Sequence, residues 1–204
     1  MDTAALVTAF ATLFVVIDPP GIVPLFIALT QGTAPEARPR LGLRACLIAG
    51  TILTLFGLFG EGLLGFIGIT MPAFRIAGGI LLFLTALDML FERRTQRREG
   101  QQADPNHDLS VFPLATPLIA GPGAIATMIL LMGQSGGSLA GMMTVLGLLW
   151  AMLAVTFVFF LAATPIERLL GRTGTIVITR LLGMLLAALS VQFVIDGVRQ
   201  TGVL

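Results

Sequence analysis

The sequence predicts an all-α membrane protein of six transmembrane helices, built as two inverted three-helix repeats with helices 1 and 4 broken near the midplane. Three observations predict it. Apolar residues make up 56% of the 204 positions and charged residues 11%, against about 25% charge in an ordinary soluble domain. The apolar residues gather into runs close to the ~20 residues that a spanning helix needs. Two of those runs carry Pro-Gly interruptions at matching places in the two halves of the chain.

The composition also excludes function classes. So little polar surface cannot cover a soluble globule, which argues against a soluble enzyme, a disordered chain or a nucleic-acid binder. A net charge of +1 leaves no large charged face for a partner. A lone Cys46 excludes a disulfide framework and a Cys-rich metal centre. The expected partners are the lipid bilayer and a small-molecule substrate, with no nucleic acid.

The first run, 4–29, holds one charge, Asp18. It lacks the basic start and the short length of a signal peptide and reads as a span. The second and third runs cover 41–63 and 72–91. Leu109 to Ile166 carries no charge, and Gly133 to Ser138 divides it into spans at 109–132 and 139–163. The sixth covers 175–198. Residues 1–92 thus form the first repeat, 93–108 a solvated linker and 109–204 the second repeat, all within one membrane domain.

Arginine placement gives the orientation. Arg38, Arg40, Arg44, Arg93, Arg94, Arg97, Arg98, Arg168 and Arg172 follow helices 1, 3 and 5. The positive-inside rule puts them, and linker 93–108, in the cytoplasm with both termini outside.

The repeat rests on Pro20-Gly21 against Pro122-Gly123 and on Arg75-Ile-Ala-Gly78 against Arg180-Leu-Leu-Gly183. Three helices per half is an odd number, so the second half enters the membrane upside down, an architecture common among transporters.

Asp18-Pro19-Pro20-Gly21 should break helix 1, because two successive prolines remove two backbone donors and clash with the preceding turn. Asp18 then reads as an N-cap and Pro19 as the first residue of a second half-helix. Helix 4 repeats the device with Pro113, Pro117 and Gly121-Pro122-Gly123. At 1.5 Å per residue the breaks lie ~21 Å and ~18 Å into their helices. Half-helix N-termini carry free N–H groups and partial positive charge, which suit a carboxylate.

The candidate substrate-binding residues are therefore Asp18, Pro19, Gly21, Gly121, Pro122 and Gly123. Asp18 could act in coupling by carrying a proton or binding Na⁺; it could also hold a substrate amino group, or serve only as the cap. Arg75 and Arg180, at the starts of helices 3 and 6, are either gating residues or side chains that reach for the interface. Asp88 and Asp196 read as interfacial residues before coupling residues, and Gln192 as an interhelical hydrogen-bonding group before a ligand contact. No catalytic residues, metal ligands or cofactor sites are evident, so an enzyme is not expected. A homo-oligomer is left open, since six short helices could need a second copy to enclose a pathway.

Asp18-Pro-Pro-Gly-Ile-Val-Pro, Met71-Pro-Ala-Phe-Arg75-Ile-Ala-Gly-Gly-Ile, Pro113-Leu-Ala-Thr-Pro117-Leu-Ile-Ala-Gly121-Pro-Gly-Ala-Ile and Arg180-Leu-Leu-Gly-Met, together with the later Val191-Gln-Phe-Val-Ile-Asp-Gly197, resemble the MarC family of bacterial inner-membrane proteins. The likeness spans nearly the whole chain in order. It departs at Ile22, where many relatives carry Asn. The resemblance implies a multi-pass protein that is a secondary transporter of small neutral amino acids or similar metabolites, distantly akin to LysE-type exporters. The alternative is a non-transporting assembly, lipid-handling or stress-response component.

Overall fold

The computed structural model describes residues 3–91 and 108–202, and linker residues 93–107, with their four arginines and His107, lie outside them. Among the described residues the secondary structure is helical. The first span consists of α1 (Thr3–Ile17) and α2 (Pro19–Leu29), separated by Asp18. The second is α3 (Arg38–Ile67) and the third α4 (Met71–Leu90).

The fourth span starts as an irregular wide coil, Ser110–Ile119, in which Phe112 and Thr116 take extended backbone angles beside Pro113 and Pro117. It continues as α5 (Pro122–Gln134), bent by 59° from the coil. The fifth span is α6 (Leu139–Leu161). Finally α7 (Ala163–Gln200) contains the sixth span, Thr173–Gln200.

Local chemistry sets most ends. Thr70 caps α4 by accepting the Ala73 N–H at 3.4 Å, with Pro72 in the first turn. Ser138 caps α6 by accepting the Gly141 N–H at 3.2 Å. Gly68 ends α3 in the left-handed conformation, φ 84°, where the absence of a Cβ removes the steric penalty.

Two expectations need correction. The second helix is longer than 41–63 at both ends: Pro39 is tolerated in its first turn, and no breaker intervenes before Gly68. The stretch after helix 5, expected as an arginine loop, is helical and carries Arg168. Pro165 is tolerated near its start, and only Gly171, at φ 60° and ψ −179°, interrupts it before the last span.

Packing reveals how the halves relate. Among the described residues, the extensive helix contacts join one half to the other: α4 with α7, α3 with α5 and with the coil 110–119, α2 with α7, α3 with α6, and α1 with α6. Chain neighbours within a half touch far less. The two halves therefore interlock around one core that includes Leu13, Ile17, Leu53, Leu82, Leu114, Met128, Leu149 and Leu186.

The closest pair is α4 and α7, which run antiparallel. A Cβ on Gly79 would lie 2.8 Å from the Ser190 carbonyl, and one on Gly183 would lie 3.0 Å from Met89 Cβ. At the other end Gly197 approaches the Pro72 carbonyl in the same way, at 3.0 Å. Inside a bilayer, where lipid tails are as apolar as leucine, such close backbone approach is a main source of helix association.

Two further ties cross between halves. The rings of Phe26 and Phe160 stack with centroids 4.4 Å apart. At the entrance to the coil, Asp108 takes the Ser110 N–H at 3.0 Å and its hydroxyl at 2.6 Å, and forms an ion pair with Arg44 at 2.7 Å. Asp108 is thus an anchor, where the sequence suggested the end of a solvated linker. The Ser110 hydrogen bonds, followed by Arg44, hold its carboxyl below the usual value of 3.8.

Because the halves interlock, residues 1–92 expressed alone should be degraded, and co-expression with 93–204 should restore a complex that co-purifies. Asp108→Asn should cost less than about 1 kcal/mol, since the ion pair is partly exposed. A carboxyl whose pKa is lowered by folding stabilises above its unfolded pKa. The difference between wild type and Asp108→Asn in thermal unfolding should therefore be full at pH 6, begin to shrink at about pH 4 and vanish only below the lowered pKa of the folded carboxyl.

Candidate functional site

The first break is closed by its own side chain. Asp18 adopts the left-handed conformation, φ 54° and ψ 61°, which Asp tolerates better than most residues because its short side chain bonds locally. Its Oδ1 accepts the Gly21 N–H at 3.1 Å. A Cβ on Gly21 would run into the Asp18 carboxylate, so the Asp-Pro-Pro-Gly spacing is what lets this cap form. Asp18 is 1% exposed, and Pro19 and Pro20 are buried beside it.

The second break is open. Gly121 starts α5 with no side-chain cap. Pro122 has no N–H to offer, and the Ile125 N–H is the first that bonds back, to the Gly121 carbonyl at 3.0 Å. The N–H groups of Gly123 and Ala124 thus belong to the unpaired first turn of a helix. Gly121 is required sterically, since a Cβ there would lie 2.7 Å from the Pro117 carbonyl.

This open end faces a cavity of about 310 Å³, lined by Pro117 to Ile119, Gly121 to Ala124, Val16 of α1, and Leu81, Leu84, Thr85 and Asp88 of α4. The volume is at the lower end of the ~300–1,000 Å³ usual for small-ligand sites. Thr85 donates its hydroxyl to the Leu81 carbonyl at 2.9 Å, which leaves the oxygen's lone pairs as acceptors. The cavity therefore sets backbone donors and helix-end positive charge on one wall against a carboxylate and a hydroxyl on the other.

Of the residues singled out in the sequence, Gly121, Pro122 and Gly123 line this cavity. Asp18, Pro19 and Gly21 do not, although Val16, two residues before Asp18, does. Arg75 and Arg180 also lie off it. Arg75 is half-buried near the start of α4, and among the described residues its Nε has no hydrogen-bond partner. Arg180 is exposed on α7, toward the opposite end of the antiparallel pair.

One reading from the sequence is extended and one changes. Asp88, two residues before the end of α4, also lines the cavity, which the interfacial reading left unmentioned. The signal was present in the spacing of Leu81, Leu84, Thr85 and Asp88, which share one face of a 3.6-residue helix. Gln192 donates to Asp196 at 2.8 Å on its own helix, four residues on, and so does not bridge helices.

Comparisons with known proteins fit this architecture. The model of the MarC family, described as integral membrane proteins, matches residues 3–201. An Archaeoglobus fulgidus protein named UPF0056 membrane protein is 38% identical over 94% of this chain and 91% of its own. YvbG of Bacillus subtilis, a UPF0056 membrane protein, is 37% identical over 95% and 94%. YhgN of Escherichia coli K12, named a UPF0056 inner membrane protein, is 33% identical over 95% and 96%. No solved structure matches.

Asp18→Ala should lower stability by about 0.5–2 kcal/mol, the usual loss on removing a cap, and Asp18→Asn by clearly less, because Asn both caps and tolerates left-handed angles. Thermal unfolding of the two purified variants in one detergent distinguishes these outcomes.

Proposed function

The chain belongs to the MarC family of integral membrane proteins, and from that premise we propose that it is a secondary transporter of small neutral amino acids or similar small metabolites. The observation that carries this reading is the uncapped start of α5, opening into a cavity whose other wall holds an acid. A zwitterion suits both walls. Its carboxylate takes the Gly123 and Ala124 N–H groups and the helix-end charge. Its ammonium faces Asp88 and the Thr85 oxygen.

Alternating access through inverted repeats completes the proposal. Exchanging the first three spans for the last three turns the α3–α5 contact into the α6–α2 contact, and the α3–coil contact into the α6–α1 contact. It also turns the α2–α7 contact into the α5–α4 contact, and all of these contacts are present. The α4–α7 pair, antiparallel as an in-plane axis requires, maps onto itself. Arg75 and Arg180 then sit at opposite membrane faces, as gating or interfacial residues.

The arginine distribution supports a cytoplasmic placement for the linker and for the first turns of α3, with both termini outside. In that orientation the cavity lies toward the cytoplasmic half. The proposed role is that of a carrier and assigns the protein no enzyme chemistry.

The test is uptake of labelled glycine, alanine and serine into proteoliposomes. A Cβ on Gly123 already reaches Leu82 at 3.1 Å and Thr85 at 3.5 Å, so Gly123→Val should fill the cavity and cut flux by at least about tenfold, equivalent to ~1.4 kcal/mol. Gly147→Val, which meets nothing within 4 Å, should leave flux unchanged. Equal flux in wild type and Gly123→Val would remove this site.

A further inference from the structure

The break in the first span concentrates carbonyl oxygens as well as a carboxylate. In an uninterrupted helix the carbonyls of Val15, Val16 and Ile17 would accept from the N–H groups of residues 19, 20 and 21. Pro19 and Pro20 have no N–H, and the Gly21 N–H goes to Asp18 Oδ1. The backbone resumes its normal pattern only at the Asp18 carbonyl, which takes the Ile22 N–H at 3.1 Å.

Three successive carbonyls thus end α1 without a helical donor, and no other donor reaches them among the described residues. All three residues are buried, at 9%, 3% and 0% exposure. They carry the negative end of the α1 dipole and point along its axis toward Asp18. Buried backbone carbonyls in a span are paired with something, because no bulk water is there to serve them.

From these observations we infer that the α1–α2 break is a monovalent cation site. Its ligands are the Val15, Val16 and Ile17 carbonyls and the Asp18 carboxylate, and Na⁺ is the occupant. Hard oxygen donors suit an alkali cation, and unwound carbonyls with half-helix C-termini are the groups that hold Na⁺ in discontinuous transporter helices. One carboxylate balances one positive charge, whereas a divalent ion would leave net charge buried in the span. Val16 connects the two features: its carbonyl faces the break while its side chain lines the solute cavity. As a coupling site this rests on the transport reading; as a cation site it stands on the break alone.

The test reads binding without flux. The purified protein is unfolded thermally in NaCl and in choline chloride at constant ionic strength. Na⁺ should raise the midpoint in a saturable way, and Asp18→Asn, which keeps the cap, should raise the half-saturating Na⁺ concentration at least about tenfold. If Asp18→Asn does not yield folded protein, Pro20→Ala, which offers the Val16 carbonyl a donor, should likewise weaken the Na⁺ effect.

Equal midpoints in the two salts for folded wild type overturn the site, as does a wild-type Na⁺ dependence in a folded Asp18→Asn or Pro20→Ala variant. Stabilisation by acidification alone, with none by Na⁺, also overturns it, in favour of a proton on Asp18. Solute flux without Na⁺ binding removes this site and leaves the solute reading; Na⁺ binding without flux does the reverse.

Discussion

Inside a bilayer a peptide group that is not hydrogen-bonded within the protein has almost nothing else to bond to, at a cost of several kcal/mol each. Most of this chain obeys by forming long helices. It departs at two places, Asp18 and the stretch from Pro113 to Gly121, where proline removes donors and the helical ladder stops. Everything distinctive about the molecule gathers there. The burial of Asp18, the steric demand for glycine at 21 and 121, and the cavity beside Gly123 all answer to unpaired backbone groups.

The two breaks answer in opposite ways. At the first, a carboxylate from the chain itself occupies the positive end of α2, and carbonyl oxygens are left over at the end of α1. At the second, glycine stands where the first break has Asp18, so the end of α5 remains a donor surface open to a cavity. On the proposed reading one break takes a cation and the other an anion. They are held together because the halves interlock: α4 walls the cavity from the first half while α5 supplies its donors from the second, and Val16 reaches from α1 to both sites.

Much of this was legible in the residues. Apolar run length fixed the six spans, and Pro-Pro and Gly-Pro-Gly marked both breaks, because proline's missing N–H acts locally whatever surrounds it. Asp18 as a cap followed from the same local rule. The sealed and the open break were distinguishable too, since Asp18 stands at the first cap position and Gly121 at the second. What escaped was tertiary: no local signal gave the cavity that the open end faces. Asp88 carried a helical spacing with Leu81, Leu84 and Thr85, but that it lines a cavity depends on the packing of α4 against α5, which no local signal gives. The helix through Arg168 was hidden because charged residues near a span end read equally well as a loop.

The central claim is that the cavity between the start of α5 and Asp88 holds the solute. Its most direct measurement is protection of a thiol placed there. With Cys46 replaced by alanine and Thr85 by cysteine, the rate of maleimide labelling in proteoliposomes is followed with and without saturating glycine or alanine. The account predicts labelling slowed several-fold by a solute that the protein carries and unaffected by its carboxyl-free amine. An unchanged labelling rate in the presence of a solute whose flux is demonstrated in the same vesicles would contradict it.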